Sequence, residues 1–347
     1  MDYRFASDNT AGLCPEAWQA LQAADRGACA SYGEDSWTAE AADAIRAVFG
    51  AECDAYFVFN GTAANSLALA ACCQSYHSVI CSDIAHLVTD ECGAPEFFSH
   101  GSKLLTAHTA DGKLTPAAVE DLVTRRHDLH YAKPRVLSLT LPTEVGTLYS
   151  LAELRALRDA AKRYGLFVHI DGARFANAAA TLRDRGFSPA DLTWRCGADV
   201  LCFGGTKNGA LAAEAVVFFA PERAREFERR RKRAGQLWSK QRYLSAQLLA
   251  LLEDGLWLRH ARHAHTLAAQ LAAGLGRAGL QLAQPVQANE VFAHFPAPLS
   301  ASLRARGFEF YDWPAPAGTA VPLVRLVTRY DQQPEQVEAL LDAIRSA

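Results

Sequence analysis

"VLCFGGTKNG", residues Val200–Gly209, ends an apolar run in two glycines, a threonine and a lysine. The run reads as a buried strand, and the glycines as a sharp turn at its carboxyl end. Glycine lets a backbone turn tightly and approach a ligand closely, and a lysine at a strand end can act as a nucleophile. A lone loop lysine is ordinarily solvated, so the rest of the chain has to decide between the two.

Outward from this stretch the same form recurs. "AYFVFN" (Ala55–Asn60) reads as a buried strand, with "GTAANSLALAACC" behind it as a helix. "SVICSD" comes next, then a helix through "GAPEFF". "RVLSLTL" (Arg135–Leu141) is a strand, and "LAELRALRDAAKRYG" (Leu151–Gly165) an amphipathic helix closed by glycine. "LFVHID" and "DVLCFG" are further strands with a helix between them. Continuous Val/Ile/Leu/Phe runs separated by helices predict an α/β fold, a mostly parallel sheet covered on both faces.

After Gly255 the order changes. A long helix, "LWLRHARHAHTLAAQLAAGLGRAG", leads into "VFAHFP" and "LVRLVTRY", with turn prolines dense in "WPAPAGTAVP" and a last helix at "PEQVEALLDAIR". This reads as a small α+β domain, giving a large domain over 1–254 and a C-terminal one over 255–347.

Composition narrows the function classes. The 347 residues are 50% hydrophobic, and 35 Lys and Arg face 38 Asp and Glu, for a net charge of −3. Such a balance gives no reason to expect nucleic acid or an anionic membrane as partner. The opening "MDYRFASDNT" lacks the pattern of a secretory signal, and no stretch reaches the roughly 20 apolar residues of a membrane helix. Nine scattered cysteines without a C-x-x-C pair fit reduced thiols in the cytoplasm, not a disulfide frame or a zinc site. No metal is expected.

Ligands of an open α/β sheet gather at the carboxyl ends of its strands. After "YFVF" come Asn60, Gly61 and Thr62, opening a helix whose free N–H groups and dipole suit a phosphate. After "LFVHI" comes Asp171, and after "DVLCF" the turn that carries Lys207. Phosphate cradle, strand-end Asp and strand-end Lys are what pyridoxal phosphate requires. The Lys207 amine forms the Schiff base with the aldehyde, and Asp171 keeps the pyridine nitrogen protonated, making the ring an electron sink. Alone, Asp171 reads better as an N-cap for "ARFANAAATL"; with Lys207 beside it, the cofactor reading prevails. A P-loop is excluded, because the G-x-x-x-x-G-K-[ST] spacing is absent.

At this point the chain resembles a known family. "ASDNT", "YGEDSWT", "FNGTAANSLAL", "AHLVTDECGAPEFFSHG", "HIDGARF", "GGTKNG" and "RLVT" are similar, in this order, to the motifs of the threonine aldolases. These belong to the β-eliminating lyases among the fold-type-I pyridoxal-phosphate enzymes, whose fold is aspartate-aminotransferase-like. The resemblance implies a large sheet domain with a small C-terminal one and assembly as a homotetramer, a dimer of dimers. It also implies retro-aldol cleavage of L-threonine, L-allo-threonine and related β-hydroxy-α-amino acids to glycine and an aldehyde. Other reactions of the same cofactor, such as β-elimination, racemisation or amino transfer, share the Lys and Asp, and the fold does not choose among them.

By the same resemblance, Lys207 is the Schiff-base lysine, Asp171 the partner of the pyridine nitrogen, and Gly61 with Thr62 the phosphate turn. His86 is the histidine stacked on the cofactor ring within reach of the substrate hydroxyl, and His130, in "DLHYAK", a second histidine near that hydroxyl. Ser7, Arg174 and Arg325 form the clamp on the substrate carboxylate, with Arg329, four residues on, left as an alternative to Arg325. Arg233 and Lys240, in "REFERRRKRAGQLWSKQR", fall nearest the basic segment that approaches the phosphate across a subunit interface. The base that takes the hydroxyl proton stays open between His86, His130 and water. The chain departs from the family at "LTLPTEVGT", where an "ENTHN"-like segment is usual, at "GGTKNGALAAEA" and at "AGQLWSKQR". These departures leave the cofactor chemistry in place and the substrate range, methyl or aryl, open.

Overall fold

A computed structural model describes residues 3–314 and 320–347. Part of the proline-rich run "WPAPAGTAVP", residues 315–319, lies outside the described residues. The large sheet has strands β1 (Asp54–Val58), β2 (His77–Ser82), β3 (Lys103–Ala107), β4 (Lys133–Thr140), β5 (Phe167–Gly172), β6 (Val200–Gly204) and β7 (Glu214–Phe218). Their order is β1-β7-β6-β5-β4-β2-β3. From β6 to β3 every pairing is parallel, and β7 runs antiparallel to both β6 and β1. The reason is length: only the turn 205–213 separates β6 from β7. A parallel return needs a crossover of a dozen residues or more, so the chain has to double back.

Helix α1 (Gly61–Cys72) lies against the sheet with residues Ala63 to Ala70 all buried. Helix α2 (Leu151–Tyr164) starts at a reciprocal Ser150–Glu153 cap and ends at Gly165 with φ 63°. Helix α3 (Phe175–Arg183) follows β5 directly. The helix expected through "GAPEFF" is two short ones, His86–Thr89 and Ala94–Phe98, broken at Gly93 with φ 74°.

A second sheet pairs β8 (Glu290–His294), β10 (Leu323–Val327) and β9 (Tyr311–Trp313) in that order, all antiparallel. Helices α4 (Leu256–Arg277) and α5 (Pro334–Arg345) cover it. Helix α4 belongs to two cores. Leu256, Trp257, Leu258 and Ala261 pack with the large sheet, whereas Leu267, Leu271 and Leu275 pack with the small one. The N-terminal arm also joins the second core. Phe5 is fully buried there, donates its N–H to Glu309 O at 2.7 Å, and accepts from Val327 N at 2.7 Å.

Candidate active site

The turns after β1, β2, β4, β5 and β6 meet at the carboxyl edge of the large sheet and wall a cavity of about 270 Å³. At the start of α1, the Asn60 side chain accepts from Ala63 N at 2.8 Å. The N–H groups of Gly61 and Thr62 are those a helix leaves without an internal acceptor, and both residues line the cavity. A Cβ added to Gly61 would meet nothing within 4 Å. That open space beside a helix N-terminus is a cradle for an anion.

Asp171 is 2% exposed. Its Oδ1 accepts from Ala173 N at 3.0 Å and its Oδ2 from Asn65 Nδ2 at 2.8 Å. The same Asn65 amide donates to Glu91 Oε1 at 2.8 Å, and that oxygen lies 2.9 Å from His86 Nδ1. A hydrogen-bonded path therefore joins Asp171 to His86 through Asn65 and Glu91. The bond to Glu91 raises the His86 pKa above its usual value, and burial raises that of Glu91.

Lys207 projects from the β6–β7 turn. Gly205 N donates to Ala213 O at 3.1 Å and to Glu214 Oε2 at 3.1 Å, and Ala213 N donates to Thr206 Oγ1 at 3.2 Å. Asn208 Nδ2 ties the turn to Trp257 O at 2.9 Å. Burial pushes Glu214 up to about 7. The two glycines serve a purpose different from the one expected. A Cβ on Gly204 would collide with the Ala173 carbonyl, and one on Gly205 would stand 2.5 Å from Ala213 O. Gly204 lets the lysine turn pack against the turn that follows Asp171, and Gly205 lets it close against Ala213 and Leu248.

The arginines lie to one side of this cavity. Arg174 Nε and Nη2 grip the two Asp8 oxygens at 2.7 and 2.9 Å, and its Nη1 is 3.4 Å from Glu290 Oε1. Arg325 Nη2 donates to Ala6 O at 3.2 Å, and its Nη1 is 4.0 Å from Glu290. Among the described residues the buried Arg325 Nε has no hydrogen-bond partner, so this guanidinium keeps a donor for a further anion while the Arg174 fork is taken by Asp8. Arg329 instead anchors the arm, donating to Arg4 O at 2.7 Å. Ser7 is buried, and its Oγ accepts from Asn9 N at 3.2 Å.

Besides Ser7, Arg174 and Arg325, which do not line the cavity, three further expected residues lie away from it within this chain. His130 is exposed in the turn before β4, at the amino end of that strand and so on the opposite edge of the sheet from Lys207. Arg233 borders a separate recess beside Phe97 and His100, and Lys240 another beside Cys29 and Ser31. Asn65, Glu91, Glu144, Asp8 and Glu290 are not marked as site residues by the sequence, yet they lie in or beside the site. Glu144 was within reach of the sequence, since it follows the end of β4 as Asp171 ends β5.

Residues 4–297 match the family model of the β-eliminating lyases. The chain belongs to the β-eliminating lyase family. Within it, this lyase is 52% identical to the low specificity L-threonine aldolase of Pseudomonas aeruginosa, over 99% of its own length and 97% of that protein's. It is 51% identical to the low specificity L-threonine aldolase of Pseudomonas sp. (strain NCIMB 10558), with 99% and 97% covered. Among solved structures it superposes on a threonine aldolase of Leishmania major with a TM-score of 0.93 and 28% identity, covering 99% of both chains. A serine palmitoyltransferase of Sphingomonas wittichii shares the fold, with a TM-score of 0.72 at 16% identity over 99% of this chain and 86% of that one. The expected fold-type-I architecture is thus the one the lyase has.

Proposed function

We propose that this lyase cleaves L-threonine, L-allo-threonine and related β-hydroxy-α-amino acids to glycine and an aldehyde, with pyridoxal phosphate as cofactor. The observation that carries this reading is the convergence of Lys207, Asp171 and the amino end of α1 on one cavity, in a chain so similar to L-threonine aldolases. The residues present fit the cofactor. Gly61 and Thr62 offer N–H groups and open space to the phosphate. Lys207 offers an amine to the aldehyde, and the buried Asp171 carboxylate a partner to a protonated ring nitrogen. When bound, the cofactor supplies an electron sink for the pair released from the Cα–Cβ bond.

The remaining work falls to side chains. Asn65 and Ala173 N hold the Asp171 carboxylate in place from both oxygens. His86, anchored by Glu91, takes the place beside the ring that the resemblance gives it. Arg325, with its spare buried donor, fixes the substrate carboxylate. Fixing it orients the bond to be broken, and such orientation supplies a large part of a barrier reduction. Arg174, held by Asp8 and facing Glu290, braces that clamp from the large sheet.

Assembly as a homotetramer, a dimer of dimers in the cytoplasm, belongs to the same proposal. Large apolar side chains stand exposed near the cavity: Leu211, which lines it, is 64% exposed, and Trp238, packed on the lining Phe59, is 40% exposed. Neighbouring subunits would cover them and could bring His130, Arg233 and Lys240 to the site. All nine cysteines are free thiols, in keeping with a reducing compartment. Among the described residues no helix is long and apolar enough to cross a membrane.

The test is incubation of the purified protein and pyridoxal phosphate with L-threonine, L-allo-threonine and L-phenylserine, followed by assay of glycine and the released aldehyde. Aldehyde from the wild type and none from Lys207→Ala is the expected result, and the relative rates rank the substrates. A cofactor absorbance band without aldehyde or glycine would leave the site standing and overturn the reaction.

A further inference from the structure

Four carboxylates line the cavity: Glu91, Glu144, Asp171 and Glu214. Three are engaged by the protein. Glu91 accepts from Asn65, Asp171 from Asn65 and Ala173 N, and Glu214 from Gly205 N. Among the described residues, no donor engages Glu144. It therefore has its acceptor capacity in hand for whatever enters.

The backbone holds it there firmly. Glu144 rides on a tight turn at the carboxyl end of β4, closed by Thr143 N to Thr147 O at 3.0 Å and Gly146 N to Thr143 O at 2.9 Å. The Thr143 and Thr147 hydroxyls meet at 2.7 Å and both reach Asp111 O. Gly146, at φ 74°, gives the turn its left-handed residue, and Glu290 presses on its other side. A carboxylate on so braced a turn is preorganised, which a proton-transfer group requires.

Resting on the aldolase reading, we propose that Glu144 is the base that takes the β-hydroxyl proton of the substrate. The hydroxyl O–H bond breaks, and its proton joins a Glu144 oxygen. The O–H pair becomes the second C–O bond of the aldehyde as the Cα–Cβ bond breaks. The pair left on Cα, stabilised by the bound cofactor, takes up a proton and gives glycine, so no outside oxidant or acid is consumed. His86 is the weaker candidate, because Glu91 already engages its Nδ1 and favours the protonated ring. Burial, then the Asp171 charge, raises the Glu144 pKa, making its carboxylate a better proton acceptor, while Lys207, Arg174 and His86 pull it down. Glu290 also faces it.

The experiment compares wild-type, Glu144→Gln and Glu144→Asp holoenzymes. For L-threonine, kcat in Glu144→Gln should fall about 100-fold or more, the range of general base catalysis. Its visible cofactor band, and its affinity for glycine read from that band, should stay within about threefold, because glycine has no hydroxyl to deprotonate. Glu144→Asp should recover part of the rate and keep the acidic limb of the kcat/KM–pH profile, which Glu144→Gln should lack. If kcat in Glu144→Gln stays within about threefold of wild type, Glu144 is not the base. Loss of the cofactor band or of glycine affinity in both variants would overturn the proposal too, by showing a structural role. A wild type that releases no aldehyde would instead sink the aldolase reading beneath it.

Discussion

Asn65 directs its amide at two acids that share no other neutral partner. With Asp171 and Glu91 both 2.8 Å from its Nδ2, it separates two buried carboxylates that would otherwise face each other in a low dielectric. Asn65→Ala removes donors to both, and leaving buried charged acceptors unsatisfied costs on the order of 2 kcal/mol or more. Urea denaturation should show that loss, with the cofactor held less tightly as Asp171 gains freedom. A change below about 0.5 kcal/mol would mean that water replaces the amide without penalty. Asn65 and Glu91 both lie inside family-like motifs, "FNGTAANSLAL" and "AHLVTDECGAPEFFSHG". They stayed invisible because a motif is read along the chain, while their bonds cross 26 and 106 residues of it. Lys207 and Asp171 were legible for the opposite reason: each announces itself locally, as a polar residue closing an apolar run.

At the level of elements, apolar runs marked β2, β4, β5 and β6, since a strand buried on both faces needs no periodicity to be seen, and an apolar run marked the part-buried edge strand β1 as well. Edge strand β3 and antiparallel β7 were missed. The first alternates weakly, with only Leu105 buried, and the direction of the second follows only from the brevity of the turn before it. That turn separates two kinds of glycine. Gly204→Ala would drive a methyl into the Ala173 carbonyl, and neither strand end can give way. We expect a loss of about 3 kcal/mol or more, the upper range of overpacking, with cofactor binding lost as the lysine turn shifts. Gly61→Ala meets open space at a helix start where alanine is at least as good a helix former. Its stability should stay within about 1 kcal/mol. Cofactor affinity should nonetheless drop, because the methyl occupies space beside the N–H groups meant for phosphate. Melting curves and a fluorescence titration of the cofactor read the two effects separately. Equal cofactor affinity in Gly61→Ala and wild type would remove the phosphate from that turn.

At the scale of the whole molecule, the core that holds Arg174 and that of the small sheet are joined along a seam of buried charge. The N-terminal arm crosses it, with Phe5 in the second core and Asp8 gripping Arg174 of the first. From β8, Glu290 reaches back toward Arg174, and from β10 Arg325 reaches Ala6 O in the arm. The resemblance brought Ser7, Arg174 and Arg325 together, but the acids between them were not legible in the sequence, because Asp8 and Glu290 lie far apart in the chain and only the tertiary fold brings them together. Among the described residues both Glu290 oxygens are buried without a hydrogen bond, and burial pushes its carboxyl up to about 7 from an ordinary 4.5. The sign of the consequence is fixed. A carboxyl whose folded pKa is raised binds its proton more tightly in the folded state. Its contribution is fully present below about pH 4.5 and is lost as pH rises through about 7. Glu290→Gln cannot ionise and keeps the neutral form at every pH. Denaturation at pH 5 should therefore find the two proteins close. By pH 8 the variant should be the more stable, by about 3 kcal/mol once the burial of the wild-type charge is relieved. If the wild type is instead as stable as the variant at pH 8, or more so, the pairing with Arg174 and Arg325 outweighs the desolvation of Glu290. The seam would then be held by a charged carboxylate rather than by a neutral acid.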